Sequence, residues 1–303
     1  MGVMSLSYMF GDAMIRLIYG QLLNAGLTWQ ELFYVAACVA IVLLIPGFFT
    51  LKNSPVDIGE KEPAATGKTV YNKEHTANKD LTIKELLIPL AKSPKFWSLV
   101  VLSALLTLIR ETFNSWTPIY LTEELDMDDG DAATASMVFP LAGTVSAVLG
   151  GVLVDKCPKK IRGLIPLIFL VFLTLNLAGL AAFAKYYQGE GAGAIALALF
   201  LIGVTGFLLI APYSFLDGVF TLDLAGKQGC AATASIINGA GYIGAVLSGV
   251  VTGVAADGSG WALVFIILTV MAGISMIFQA LYWLFDLWDM RTAPEEQKLL
   301  NPT

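Results

Sequence analysis

Arg110 and Glu111 stand inside an apolar stretch, residues 105–120 (LLTLIRETFNSWTPIY), and residues 96–109 before them carry no charge. A charge at membrane depth is rare, faces a bundle interior or a watery cavity, and marks a substrate or ion path. A guanidinium is permanently charged and offers a planar fork of donors, so the chemistry it serves there is the capture of an anion. Asn114 lies one helical turn further on the same face and can bond the same ligand. Glu111 offers two alternatives, neutralisation of Arg110 or a proton-coupling group. Neighbours on a helix point about 100° apart, which predicts that Arg110 and Glu111 face each other poorly.

A second intramembrane pair is Asp12 and Arg16. Four residues apart, they share a helix face and can pair. One reading is a structural ion pair that lets both sit in the membrane. The other is that Arg16 also faces the substrate path. Asn238 and Tyr242 share a face in the same way and are further candidates for lining a polar cavity.

The elements that must position these residues are membrane helices. The chain has 303 residues, of which 56% are hydrophobic and 14% charged, with a mean hydropathy of +0.73. Soluble proteins carry about a quarter charged residues. A helix needs about 20 apolar residues to span a bilayer. Eight runs meet that length: 5–24, 30–51, 95–121, 131–154, 162–185, 192–222, 229–255 and 260–288. In hydrocarbon the backbone must bond within each segment, so an all-α integral membrane protein with eight transmembrane helices is expected. Pro212 predicts a kink in the sixth run.

Charge sets the orientation. Of the 18 Lys and Arg residues, 15 lie in or beside the 52–95 loop, the 156–162 turn, Lys227 and the C-terminal tail. The opposite loops hold Lys185 alone, and residues 123–131 carry six acids and no base. The positive-inside rule places the long loop and both termini in the cytoplasm. The expected organisation is a helix pair at 1–51, a cytoplasmic linker at 52–93, a six-helix unit at 94–290 and a cytoplasmic tail at 291–303. The linker is mixed in charge, low in hydrophobicity and holds the one histidine, His75. Its end, residues 81–91, reads as an amphipathic interfacial helix.

An enzyme is disfavoured. The sequence has no metal-ligand cluster, no nucleophile–base constellation and no phosphate-cradling glycine loop, and its lone histidine is in the linker. No cofactor, metal or nucleic-acid partner is implied; the partners expected are the lipid bilayer and a small anionic substrate. Cys38, Cys157 and Cys230 imply no disulfide framework. Small-residue stripes, Gly143-Ala147-Gly151 and Gly241-Ala245-Gly249-Gly253, predict close helix approach. The pattern Gly-x-x-Trp-x-x-x-Phe occurs at 26–33 and again at 258–265, six runs later. Such a spacing fits transporters built from two parallel halves.

Residues 151–162 place Asp155 at a helix end, followed at once by Lys156 and later by Arg162. Gly151, Asp155, Lys156 and Arg162 compose either a breakable charge network or a positive-inside cluster with a turn. The spacing resembles the G-x-x-x-D-[RK] loop of the major facilitator superfamily, in the copy between its eighth and ninth helices, where it holds the inward gate.

The resemblance narrows further. Leu108-Ile-Arg110-x5-Trp116-Thr-Pro118-x-Tyr120-Leu121 is similar to the seventh-helix pattern L-x-R-x5-W-S-P-x-Y-L of the organophosphate:phosphate antiporter family. That family includes the bacterial glycerol-3-phosphate and hexose-phosphate transporters. Gly206-Phe-Leu through Pro212 to Asp223-Leu-Ala-x-Lys227, and Gly241-Tyr242-x-Gly244 with Gly260-Trp261, extend the similarity over most of residues 95–265. It implies that the eight runs correspond to helices five to twelve of twelve, with the N-terminal helices of the same protein as missing partners. It also implies that Arg110 binds substrate phosphate and that two halves alternate access around it. Where the family's phosphate transporters carry a fifth-helix histidine, this chain has Asp12 or a near neighbour, and Arg16 has no clear counterpart. A proton-coupled symporter of a sugar or carboxylate, using Asp12 or Glu111, and a transport-dead ligand sensor are the alternative readings.

Overall fold

The computed structural model describes residues 2–50, 59, 83–187 and 191–292. The linker expected at 52–93, with His75, lies outside them except for Gly59 and the part from 83 onward; the tail beyond 292 also lies outside. The described residues form helices and no strand. In chain order these are α1 (Gly2–Asn24), α2 (Trp29–Thr50), α3 (Ile83–Ala91), α4 (Pro94–Leu125), α5 (Asp129–Ala135) and α6 (Val138–Lys156). Then come α7 (Lys159–Arg162), α8 (Leu164–Tyr186), α9 (Ala192–Phe215), α10 (Thr221–Ser259) and α11 (Trp261–Thr292).

Seven spans among the described residues are long and apolar enough to cross a membrane. The expected eighth, α1, has the length at 23 residues. Asp12, Arg16, Gln21 and Asn24 dilute its hydropathy, and it is not among the seven. The fourth expected span is broken: α5 ends at Ala135, and α6 begins at Val138. The boundary between the sixth and seventh spans falls at Gly226, whose φ of 60° and ψ of −170° leave helical space. Pro212 lies inside α9, and a π-helical turn at Leu216–Phe220 follows it. The segment expected to be an interfacial helix is helical as α3, with Leu90 buried.

α4 is the spine. Ser93 precedes it, Pro94 opens it, and Asp126 closes it in the left-handed conformation with its N–H on the Leu121 carbonyl. A proline at the first turn loses no helical bond, because that N–H has no partner there. α4 buries Phe96, Leu99, Leu102, Leu106, Ile109, Phe113 and Tyr120, and it packs against α9, α10 and α11. α6 pairs with α9, and α8 with α11. α1 rests on α5 and α6, while α2 leaves its apolar sides exposed and buries Leu32 alone.

Small residues set the closest approaches, but not in a fixed four-residue stripe. A Cβ on Gly244 would lie 2.0 Å from the Ala104 carbonyl oxygen of α4, and one on Gly206 would lie 2.3 Å from that of Phe139. Along α10 the buried line runs Ile237, Gly241, Gly244, Ser248, Thr252 and Ala255; Gly249 has open space around it. On α6 the line runs Gly143, Ala147, Gly150. At 3.6 residues per turn, steps of four drift about 40° each, so a straight neighbour meets alternating steps of three and four.

Candidate functional site

α4 places Arg110 as the seventeenth of 32 residues, half-way along the helix. Its side chain is 12% exposed and that of Glu111 24%. The guanidinium donates from Nε at 2.9 Å and from Nη2 at 2.5 Å, both to Glu111 Oε1. The expectation that these neighbours face each other poorly is thus corrected. Two long side chains bend across the ~100° between their Cβ directions and meet over the helix surface. α9 supplies Tyr213, whose ring centre is 4.4 Å from the Arg110 guanidinium carbon, and α1 supplies Tyr8 at 5.9 Å. Aromatic faces hold a cation without neutralising it.

Arg16 is fixed by three elements. On its own helix it donates to both Asp12 oxygens at 3.2 and 3.3 Å. Its Nη1 donates to Ser136 Oγ at 3.1 Å, at the α5–α6 break. Its Nη2 donates to the Asn114 backbone carbonyl at 2.9 Å. That carbonyl is available for a covalent reason. In a regular helix it would accept from the N–H four residues on, which here is Pro118 and has none. Arg16 therefore supplies the donor that Pro118 removes, a re-satisfaction that a proline in a membrane helix requires.

The two pairs form one cluster. Tyr8, one turn before Asp12 on α1, holds its ring 5.9 Å from the Arg110 guanidinium carbon. Asn114 joins both ends: it is one turn beyond Arg110, its carbonyl is held by Arg16, and its Oδ1 is buried without a hydrogen-bond partner among the described residues. Of these residues the sequence singles out Arg110, Asn114, Arg16, Asp12 and Glu111, and it misses Tyr8, Tyr213 and Ser136. For Tyr8 a signal existed: it continues the four-residue spacing of Asp12, Arg16, Gly20 and Asn24 on α1. That whole line is used. Gly20 meets α5 so closely that a Cβ would lie 2.6 Å from the Gly130 carbonyl oxygen, and Asn24 donates to Asp131 at 2.9 Å.

Asn238 is half-buried on α10, while Tyr242 is 71% exposed among the described residues. Asp155 and Lys156 are exposed at the end of α6 and make no ion pair within 4 Å among the described residues; Arg162 donates to the Cys157 carbonyl at 3.3 Å. Helix ends meet elsewhere on this side. Lys95 of α4 bridges Asp286 and Asp289 of α11, both at 2.8 Å. Trp283 and Gln279 of α11 donate to the Lys160 and Gly163 carbonyls at 2.8 Å each.

Comparison with known proteins places this arrangement. The sequence profile of the Major Facilitator Superfamily matches residues 1–228. The chain is 28% identical over 250 residues to the glycerol-3-phosphate transporter of Haemophilus influenzae, covering 77% of this chain and 51% of that protein. It is 28% identical over 256 residues to the membrane sensor protein UhpC of Escherichia coli, covering 82% and 55%. It is 25% identical over 292 residues to a protein of Chlamydia trachomatis named "Probable hexose phosphate transport protein", covering 93% and 62%. The chain thus spans about half to three-fifths of the length of these curated relatives.

Proposed function

The chain belongs to the Major Facilitator Superfamily, and from that premise we propose that it is the larger part of a secondary transporter exchanging an organic phosphate for phosphate. The observation that carries this reading is Arg110: a permanently charged fork, nearly buried half-way along a membrane-spanning helix, held by aromatic rings and one displaceable carboxylate. Phosphate oxygens suit its paired donors. Asn114, about 6 Å further along the axis, carries an unmet acceptor that suits a hydroxyl of the esterified alcohol. The relatives named for glycerol-3-phosphate and hexose phosphate support such a ligand.

In this reading the 1–51 pair and the 94–290 unit belong to two halves that rock about the site, the length of the relatives leaving room for the helices that complete the first half. The α1–α5 seam at Gly20 and Gly130 joins them at the acidic end, and the basic loops, the linker and both termini face the cytoplasm. The Gly151, Asp155, Lys156 and Arg162 loop takes its gating role in another conformation of the cycle.

A form of the relatives' full length, reconstituted into phosphate-loaded liposomes, is expected to exchange internal phosphate for external glycerol-3-phosphate or glucose-6-phosphate. Arg110→Lys keeps the charge but loses the fork, and exchange is expected to fall by about tenfold or more. Unchanged exchange in that variant refutes the role of Arg110. The similarity to a named sensor favours a second reading, a phosphate-ester receptor without flux; Arg110-dependent binding with no exchange identifies it.

A further inference from the structure

We propose that Glu111 is a tethered counter-anion, which the ligand must displace from Arg110 and which makes the site select phosphoryl groups over monocarboxylates. The inference rests on the anion-binding reading of Arg110 and adds to it a residue that sets specificity.

The two arginines differ in what they have left to give. Arg16 spends Nε, Nη1 and Nη2 on Asp12, Ser136 and the Asn114 carbonyl, which lie on three separate elements. Displacing those partners would unpair a carboxylate and orphan a carbonyl at once. Arg110 spends two nitrogens on one oxygen of one residue, and no second carboxylate lies within 4 Å of it among the described residues. Among the described residues the rings of Tyr8 and Tyr213 also flank it, and a ring face can keep its cation while an anion arrives edge-on. Arg110 is therefore the exchangeable cation and Arg16 the fixed one.

Glu111 also has somewhere to go. Its side chain is twice as exposed as that of Arg110, 24% against 12%. Its attachment to the next residue keeps it at high effective concentration when the site is empty. The resting cluster of Asp12, Arg16, Arg110 and Glu111 then carries no formal net charge, so an empty site holds no uncompensated buried cation.

Selectivity follows from the competition. A monocarboxylate offers Arg110 the same group that Glu111 already provides, without the advantage of the tether. A phosphoryl group brings a charge of about −1.5 to −2 near neutral pH and three acceptor oxygens. It outcompetes the tethered carboxylate where acetate does not, and an attached alcohol reaches Asn114 Oδ1.

The test uses the same form of the relatives' full length in lipid nanodiscs, with titration calorimetry of inorganic phosphate and of acetate. Wild type is expected to bind phosphate and not acetate. Glu111→Gln keeps the shape and removes the competing charge; it is expected to bind phosphate about tenfold more tightly and to gain measurable acetate binding. Glu111→Asp, with its shorter reach, is expected to fall between the two and serves if the glutamine variant does not fold. Adding Arg110→Gln to either background is expected to abolish binding of both ions. Arg110-dependent phosphate binding that is unchanged or weaker in Glu111→Gln, with acetate still excluded, overturns the role of Glu111 and leaves the anion site standing. Absence of Arg110-dependent phosphate binding in every form overturns the anion site and the Glu111 inference together.

Discussion

Asp12–Arg16 and Arg110–Glu111 are the same chemistry in two settings, and the settings assign different work to them. Both arginine side chains are nearly buried, at 14% and 12% exposure. Arg16 sits at the crossing of α1, α4 and the α5–α6 break, and each of its nitrogens meets an acceptor there: Asp12, Ser136 Oγ or the Asn114 carbonyl. Arg110 faces rings from α1 and α9 and one neighbour on its own helix. A guanidinium whose donors are all committed to structural acceptors holds helices together. One whose donors rest on a single carboxylate is, in the proposed reading, the one left for a ligand. Intramembrane charge alone does not separate these roles; the number and origin of the partners do.

The contrast can be broken most severely at Arg16. Arg16→Ala leaves Asp12 unpaired and the Asn114 carbonyl without a donor. Breaking a buried pair costs about 3–5 kcal/mol; with Asp12 partly exposed, a loss of about 2 kcal/mol is expected, read as a lower detergent denaturation midpoint by circular dichroism. Arg110→Ala leaves Glu111 unpaired, at 24% exposure against 23% for Asp12, but orphans no backbone carbonyl, and is expected to lose less stability than Arg16→Ala in the same assay. Equal losses would erase the distinction.

A finer probe is Pro118→Ala. It restores the N–H that the Asn114 carbonyl lacks, so the penalty of Arg16→Ala is expected to shrink by about 1 kcal/mol in the Pro118→Ala background. A double-mutant cycle with no coupling would show that Arg16 does not stand in for the missing helical bond. The smallest expected effect is Ser136→Ala, about 0.5–1 kcal/mol, since Arg16 keeps its other acceptors and Ser136 also loses its own bond to the Ala133 carbonyl at 2.7 Å.

The repeated Gly-x-x-Trp-x-x-x-Phe pattern shows how far sequence reaches in this chain. Both copies start a long helix on the tryptophan, α2 at Trp29 and α11 at Trp261, and in both the Trp and Phe rings lie about one turn apart, at 6.2 and 6.4 Å. Even the helix starts differ only in device: Thr28 is bonded to Glu31 through its N–H at 2.7 Å and its hydroxyl at 2.9 Å, whereas Gly260 turns with a φ of +79°. Yet Trp29 is 64% exposed and Trp261 4%. Trp261 is enclosed by Trp116 and Tyr120 and donates to Glu123 at 2.9 Å. Those partners come from α4, far away in sequence, and among the described residues Trp29 has no such enclosure.

The sequence by itself determined what depends on neighbours along the chain. Apolar length places the membrane helices, the basic loops carry the orientation proposal, and a four-residue spacing pairs Asp12 with Arg16. It also singled out Arg110 and Asn114, because a charge within an apolar run needs a reason wherever the run is placed. Only the tertiary structure decided which arginine is saturated, that Tyr8 and Tyr213 flank Arg110, and that Pro118 hands a carbonyl to Arg16. It decided, too, that contact along α10 runs through Gly244 rather than Gly249. Each of these depends on which residue of a distant helix arrives opposite a given face, and the 3.6-residue turn makes that register drift along every contact.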